Sequence, residues 1–193
     1  GSRARSLLSH EQDVVVGHGH ALVEPPVQRL PEARLGHAVE VDVVLAYELE
    51  LVDSYITIQK IRFEERLEFK VITDEKAKEG MIPPLTIQPL VENAIHYGME
   101  EMTEVCHIYL QAEVKEGVLT IQVRNEGSNF EEELLEKLKN KSRSPHGFGI
   151  GLLNIDQRIR LLFGEEYGLT LSNEHDFAVA TIKMPFRKEE ETC

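Results

Sequence analysis

The sequence has no tryptophan and only two cysteines, Cys106 and Cys193, in its 193 residues. Cysteines this far apart give neither a disulfide framework nor a metal-ligand spacing, so we expect a reducing compartment. No apolar run approaches the roughly 18 residues that a membrane-spanning helix needs, and no signal-peptide pattern is present. These absences predict a soluble chain that is not embedded in a membrane.

Basic residues are also scarce, because 21 Lys and Arg stand against 34 Asp and Glu and the net charge is -13. A nucleic-acid-binding surface needs a basic stripe that displaces counterions, so this class of function is excluded. An acidic protein can still bind a nucleotide, because backbone N–H groups and a metal ion hold phosphates locally. Hydrophobic residues make up 41% of the chain, which is enough for a globular core.

Residues 1–47 form an atypical N-terminal arm. They contain no Lys, Ile, Asn, Thr, Phe or Met, whereas these residues are frequent further on. Glycines and prolines between positions 17 and 35 would interrupt any helix. Two interpretations stay open: a poorly ordered or extended arm, or a non-native segment translated outside its natural frame. His18 and His20 lie among glycines without nearby Cys or carboxylate ligands, which favours loop histidines over a metal site.

A helix of about five turns is predicted after Val44. Its seam recurs at spacings of three and four and consists of Leu45, Leu49, Val52, Ile56, Gln59 and Phe63. A seam this narrow belongs either to a core-packing helix or to a linker helix that dimerises. We favour the second interpretation, with the linker over residues 48–66 and a homodimer as its consequence.

The remaining patterns predict an α+β fold. Strands are expected over 67–72, 105–114, 118–124, 169–172 and 179–184, and helices from the turn at 81–84 to His96, over 131–140 and over 152–163. Gly98 is expected to end the first of these helices. Residues 115–117 predict a hairpin turn. Strands grouped with intervening helices indicate a two-layer sandwich, a mixed sheet covered by helices on one face, with a charged tail at 188–193.

Three motifs carry the chemistry. In LVENAIHYG (90–98), Asn93, His96 and Tyr97 are three and four residues apart and share one helix face. VRNEGSN (123–129) follows a predicted strand and combines a polar side chain with a flexible backbone. GFGIGLLN (147–154) places glycines before a helix, where the backbone can approach a phosphate. Each motif alone is weak, since polar helix faces, turns and mobile glycine loops are common.

The order and separation of these motifs resemble the GHKL (Bergerat-type) ATPase domain, and within it the LytS/YehU group of sensor histidine kinases. The resemblance spans residues 48–187 and places the catalytic domain at 67–187. ELELVDSYITIQKIRF (48–63) looks like the group's linker helix. IPPLTIQPLVENAIHYG (82–98) looks like its N box, and GIGLLNIDQRIRLLFG (149–164) like its final glycine box and helix.

The resemblance implies a site for ATP and Mg²⁺ on the N-box helix. Asn93 would coordinate Mg²⁺ that bridges the ATP phosphates, and His96 occupies the position of a phosphate-contacting basic residue. Tyr97 would lie near the ribose or base. Asn125 stands where the family has the adenine-binding Asp, and Gly127 stands beneath the base.

The glycine loop would form the hinge on the phosphate side of the site. By resemblance, Gly147, Gly149 and Gly151 belong to this hinge. Leu152 would open the following helix, and Asn154 would lie in its first turn.

The implied chemistry is phosphoryl transfer to a histidine, driven by positioning and charge neutralisation. In the hydrolysing branches of the superfamily a glutamate one turn before the Mg²⁺ asparagine activates water. Here that position is Pro89, which argues against a MutL- or gyrase-like hydrolase. Glu92, next to Asn93, is expected to orient the catalytic site rather than act as a base.

Several positions depart from the family pattern. Asn125 replaces an Asp and accepts a hydrogen bond more weakly than a carboxylate. Asn129 replaces a second glycine, and Phe177-Ala178 stands where the group has Gly-Thr. The lost interactions would weaken ATP binding by roughly 1–3 kcal/mol. The alternative function is therefore a degenerate GHKL module that dimerises or docks a response regulator with weak or no nucleotide binding.

The phosphoacceptor of the group sits in a His-Phe-Leu-Phe-Asn type motif, and none of His10, His18, His20 and His37 has such neighbours. We therefore expect these residues alone to be inactive and to require the phosphoacceptor domain of the parent kinase. The other implied partner is a response regulator. By resemblance, the parent protein is a membrane sensor with this domain in the cytoplasm.

Overall fold

A computed structural model describes residues 42–101, 104–132, 134 and 150–189, without the side chains of Glu100 and Glu101. They belong to one compact unit, Val39–Cys193. The predictions for residues 1–41, for most of the charged helix at 131–140, and for Gly147 and Gly149 lie outside the described residues.

Seven strands and four α-helices make up the described unit, together with one 3₁₀ turn at Glu64–Arg66. In chain order they are β1 (Val43–Val44), α1 (Leu45–Phe63), β2 (Leu67–Thr73), α2 (Glu75–Lys78), β3 (Met81–Ile82), α3 (Gln88–Glu101), β4 (Cys106–Lys115), β5 (Val118–Glu126), α4 (Ile150–Phe163), β6 (Gly168–Glu174) and β7 (Phe177–Pro185). All five predicted strands and the predicted helices at 45–63 and 152–163 are present, with small shifts of their ends.

The main sheet has five strands in the order β2-β4-β5-β7-β6. β2 runs parallel to β4, and the other neighbouring pairs are antiparallel. A separate pair, β1 with β3, was not predicted, because two-residue strands leave no periodicity in the sequence.

The sheet has one apolar face, which confirms the predicted α+β sandwich. Along β4 and β5, buried residues alternate with half-exposed ones. Strict alternation places every second side chain on the same face, and the α-helices cover that face. The buried core includes Ile108, Leu110 and Ile121 from the sheet and Leu90 and Ile159 from α3 and α4.

The β4–β5 hairpin closes through Glu116 and Gly117, as predicted. Both residues have positive φ, 50° at Glu116 and 77° at Gly117. Two consecutive left-handed residues define the type I′ turn, which matches the twist of the two strands. No other atom lies within 4 Å of a Cβ built on Gly117, so the glycine is required by its backbone angle alone.

Helix α3 corrects the prediction at both ends. It begins at Gln88, because the segment after Pro84 is a turn, and it continues past Gly98 to Glu101. Gly98 therefore does not end the helix. A Cβ at this position would lie 2.6 Å from the Cys106 sulfur, so the glycine lets α3 approach β4 closely. Close packing between helix and sheet, which local sequence cannot reveal, explains this residue.

Helix α1 buries much of its predicted seam against the unit's own core, since Leu45, Val52 and Ile56 are all nearly inaccessible. Glu48, one residue before the seam position Leu49, is also buried. Whether α1 additionally acts as a dimerising linker stays a prediction. None of the helices in the described part of the chain combines the length and apolar composition required to cross a membrane.

Candidate functional site

Asn93 lies in the middle of α3 and is 7% exposed. No hydrogen bond joins its side chain to another residue in the part of the chain that the structure describes. Its amide atoms are not among the inaccessible unpaired side-chain atoms of the described residues, so the end of the side chain reaches the surface. His96 and Tyr97, one turn further on, are half-buried, and their rings meet edge to face with centroids 5.1 Å apart.

Glu92 lies on the side of α3 that faces α1. It accepts a hydrogen bond of 2.8 Å from Gln88 Nε2. Together with Tyr55 and His96 it lines a groove of about 320 Å³ between the two helices. Burial, reinforced by the charge of Glu92, raises the pKa of the Tyr55 phenol. The structure thus brings Glu92 and His96 together in this groove, to which Asn93 does not contribute.

The N-terminus of α4 lies beside the first turn of α3. The helix begins at Ile150, two residues before the predicted start at Leu152. A Cβ built on Gly151 would lie 3.5 Å from Cβ of Pro89, an ordinary contact distance. Pro89 lies one turn before Asn93 on α3, so the final glycine of the predicted loop and Asn93 are on the same side of the molecule.

The first turn of α4 combines a buried and an exposed residue. Leu152 is 2% exposed and belongs to the core, and its place in the nucleotide site stays a prediction. Asn154 is exposed. The N-terminal N–H groups of such a helix lack intrahelical acceptors and attract anions.

Asn125 lies near the end of β5 and is 3% exposed. Its Nδ2 donates to Ser128 Oγ at 2.7 Å and to the Glu126 carbonyl oxygen at 3.3 Å. Both N–H donors are thus used within the chain, and the group that Asn125 can offer to a ligand amine is its carbonyl oxygen. Gly127, with φ of 78°, forms the following turn.

Gly98 brings α3 within close reach of Asn125 and Cys106. A Cβ on Gly98 would lie 3.4 Å from Asn125 Nδ2. Burial, together with the charge of Glu126, raises the pKa of the Cys106 thiol to about 11. The thiol is therefore protonated at neutral pH and makes a 3.9 Å contact with the Glu126 carbonyl oxygen. Residues of α3 and β4 therefore pack against the turn that follows β5.

The pair Phe177-Ala178 is divided between the two faces of the sheet. Ala178 is the register partner of Asn125 and is buried beside it. The ring of Phe177 lies 4.7 Å from the Arg124 guanidinium and 6.0 Å from the Tyr109 ring. Neighbouring strand residues point to opposite faces. Of the two departures from the family pattern, only Ala178 therefore borders Asn125.

A polar cluster in front of α3 was not predicted from the sequence. The Glu48 carboxylate accepts hydrogen bonds from three consecutive backbone N–H groups at 85–87, and Arg158 bonds the Thr86 hydroxyl. The available signal was the position of Glu48, three residues after Leu45 and four before Val52. An acidic residue at that spacing in an apolar seam indicates a buried partner.

The molecule has a five-stranded mixed sheet that α3 and α4 cover on one face. Asn93 lies between Gly151 and the turn that follows Asn125, and this arrangement defines the class of the molecule. It is a nucleotide-binding domain of the GHKL type. Residues 84–188 match the family model described as histidine kinase-, DNA gyrase B-, and HSP90-like ATPase. The chain belongs to this family, which confirms the resemblance drawn from its motifs.

Relatives and solved structures agree with this membership. Over 148 residues the chain is 43% identical to sensor histidine kinase YesM of Bacillus subtilis. The aligned region covers 76% of this chain and 24% of the relative. It is 34% identical over 131 residues to sensor protein LytS of Bacillus cereus, with coverages of 67% and 22%. The chain thus spans about a quarter of the length of these relatives.

Among solved structures, the catalytic domain of histidine kinase ThkA superposes with a TM-score of 0.56 at 17% identity, covering 77% of this chain and 99% of that one. At this identity the likeness shows the shared fold. Together the family and the relatives confirm the prediction of an ATP-binding catalytic domain of the sensor-histidine-kinase type.

Proposed function

We propose that the chain binds ATP with Mg²⁺ and transfers the γ-phosphoryl group to a histidine supplied by another part of the parent kinase. A nitrogen of that histidine attacks the γ-phosphorus, the bond to the bridging β-γ oxygen breaks, and ADP leaves. The observation that carries the proposal is Asn93, a residue that is only 7% exposed but whose amide reaches the surface without a described hydrogen-bond partner, on the helix whose first turn lies beside Gly151. Positioning and charge neutralisation supply most of the catalysis in such transfers.

Asn93 fits the proposed Mg²⁺ site. Its amide oxygen is a hard ligand, and Mg²⁺ in phosphoryl-transfer sites is commonly held by one or two protein ligands together with phosphate oxygens and water. When bound, the ion would neutralise charge that develops on the phosphates. We propose that His96 and Tyr97 contact the phosphates and the ribose or base. Pro89 offers no base for water.

The phosphates would be received at the N-terminus of α4. We propose that Gly147, Gly149 and Gly151 belong to the phosphate side of the site, with Asn154 in the first turn of the helix. The closeness of Gly151 to Pro89 supports the proposal, since a Cβ built on Gly151 would lie 3.5 Å from Cβ of Pro89 and the positive end of α4 is therefore beside α3.

We propose that the adenine binds beside Asn125 and Gly127. The carbonyl oxygen of Asn125 would accept a hydrogen bond from the exocyclic amine, and Gly127 gives the turn the left-handed backbone that it needs. Ala178, which borders Asn125, lacks the hydroxyl that would strengthen this contact. Affinity for ATP is therefore expected to be modest.

Glu92 is proposed to orient the site from the α1 side. Gln88 fixes its carboxylate, and Tyr55 and His96 share its groove. This role differs from that of a general base and requires no water.

The proposed partners follow from the size and family of the chain. The phosphoacceptor domain of the parent kinase and a response regulator are expected to dock on the catalytic domain (67–187), with α1 as the linker. In another structure of ThkA, that kinase is in complex with the response regulator protein TrrA. The membrane-sensor location of the parent, with this domain in the cytoplasm, and a homodimer through α1 remain part of the proposal.

A calorimetric titration with ATP, with and without Mg²⁺, tests the proposed binding. We expect saturable binding to the unaltered chain, and Asn93→Ala should weaken the Mg²⁺-dependent affinity by about tenfold, the effect of losing one charged contact. Gln157→Ala removes an exposed helical amide outside the site and should bind like the unaltered chain.

The same titration tests the alternative function. An absence of saturable binding at millimolar nucleotide would contradict the kinase proposal and favour the degenerate docking module. Asn125 and Ala178 motivate this alternative, because the charge and the hydroxyl of the family pattern are both missing there.

A further inference from the structure

Glu48 of α1 holds the backbone that leads into α3. Its carboxylate is 1% exposed. Oε1 accepts a hydrogen bond from Leu85 N at 2.7 Å, and Oε2 accepts from Thr86 N and Ile87 N at 3.1 Å each. A buried carboxylate needs such partners, and the N–H groups ahead of a helix need an acceptor. Glu48 therefore acts as an anionic cap for α3, supplied by a residue about 40 positions earlier in the chain.

The capped segment contains one residue with a strained backbone. Leu85 has φ of 56°, a left-handed conformation that costs about 1 kcal/mol or more for a branched residue. Its side chain is 57% exposed, so burial of Leu85 does not offset the strain. The hydrogen bonds to Glu48 offset part of this strain.

Helix α4 holds the same segment from the other side. Thr86 is fully buried, and its hydroxyl donates to the Pro83 carbonyl oxygen at 2.6 Å. The same hydroxyl accepts a hydrogen bond of 3.1 Å from Arg158 Nη2. Three helices thus meet at residues 83–87: α1 through Glu48, α4 through Arg158, and α3, which begins at the next residue.

The position of Asn93 depends on this junction. Asn93 lies five residues into α3, between the capped start of the helix and its packing on the sheet. We infer that Glu48 is a positioning residue, which places the first turns of α3, and with them Asn93, relative to α4. The inference rests on the proposed nucleotide site.

A double-mutant cycle tests this inference. Glu48→Gln retains the size of the side chain but replaces the anion and turns one end into a donor that faces N–H groups. The affinity for ATP with Mg²⁺ should fall about tenfold in E48Q, the loss expected for one disturbed polar contact. In the N93A background the same substitution should have little further effect, because both act through Asn93. A purely structural role would weaken both backgrounds equally and would overturn the inference.

Amide hydrogen exchange supplies a readout that needs no nucleotide. In E48Q the amides at 85–87 and in the first turn of α3 should exchange about tenfold faster, while the β4–β5 hairpin stays protected. The control is Glu50→Gln, which removes an exposed carboxylate from the same helix and should change neither exchange nor affinity. Unchanged exchange in α3 would overturn the inference.

The outcomes separate the two proposals. If the unaltered chain does not bind ATP, the proposed function is contradicted. Amide hydrogen exchange is then the measurement that tests the role of Glu48. If E48Q fails to fold, Glu48→Asp, which retains the charge but shortens the reach, takes its place in both measurements. Equal affinity and equal exchange of the folded variant and the unaltered chain would overturn the role of Glu48.

Discussion

At the scale of single residues, the candidate site residues differ in which of their polar atoms already form hydrogen bonds within the chain. Asn125 uses both N–H donors on Ser128 and Glu126, whereas Asn93 has no described hydrogen-bond partner. Chemically identical side chains therefore have different roles. Asn125 can only accept from a ligand through its oxygen, and Asn93 retains both its oxygen and its amide for a ligand.

The substitution Asn125→Asp is expected to raise the affinity for ATP by up to about tenfold, because a carboxylate accepts from the adenine amine more strongly than an amide. The same change should lower the free energy of unfolding by about 1 kcal/mol, since a carboxylate cannot donate to the Glu126 carbonyl oxygen. Nucleotide titration and urea unfolding measure the two effects. Asn129→Asp adds the same charge at an exposed neighbour and should not raise the affinity. Equal gains in both variants would contradict the prediction.

At the scale of elements, the periodicity of the sequence predicted the structural features that depend on a single helix or strand. The α1 seam, the hairpin at Glu116-Gly117 and the five strands follow from spacing and turn residues alone. The ends of α3 could not be predicted. Gly98 is typical of a helix end in sequence, but here it accommodates Cys106 of another element. Glu48 likewise caps a helix that begins 40 residues later, so neither residue can be interpreted from its neighbours in the chain.

The packing of α3 on β4 and of α4 beside α3 predicts opposite effects of two glycine substitutions. In Gly98→Ala the new Cβ would lie 2.6 Å from the Cys106 sulfur, and we expect a net loss of about 1–2 kcal/mol in the free energy of unfolding. In Gly151→Ala the new Cβ would have an ordinary contact of 3.5 Å, so the helix propensity of alanine should stabilise by up to about 1 kcal/mol.

Urea unfolding of the two variants measures this difference. The double variant G98A/C106A should recover part of the loss, because the smaller residue at 106 leaves room for the new methyl group. A Gly98→Ala variant as stable as the unaltered chain would show that α3 can shift away from the sheet without cost.

At the scale of the whole molecule, the proposed site is assembled from distant parts of the chain. Antiparallel register brings Ala178 beside Asn125, and the contact between Pro89 and Gly151 brings α4 to α3. The motifs named the candidate residues, whereas the sheet order and the helix packing, which the motifs could not predict, decide which elements lie side by side. The same packing joins the proposed site to the core, so a ligand that spans these elements should stabilise the domain as a unit.

Thermal unfolding in the presence of nucleotide tests this coupling. A ligand that binds only the folded chain stabilises it by about 2.7 kcal/mol at a concentration of 100 times Kd, so ATP with Mg²⁺ should raise the Tm in a concentration-dependent manner. GTP should raise it less, because guanine presents an oxygen where adenine presents the amine that Asn125 accepts from. Asn93→Ala should reduce the shift by ATP without lowering the Tm of the unliganded domain by a comparable amount. Equal shifts by ATP and GTP would indicate that the base is not bound at Asn125, and the adenine position in the proposed site would then be wrong.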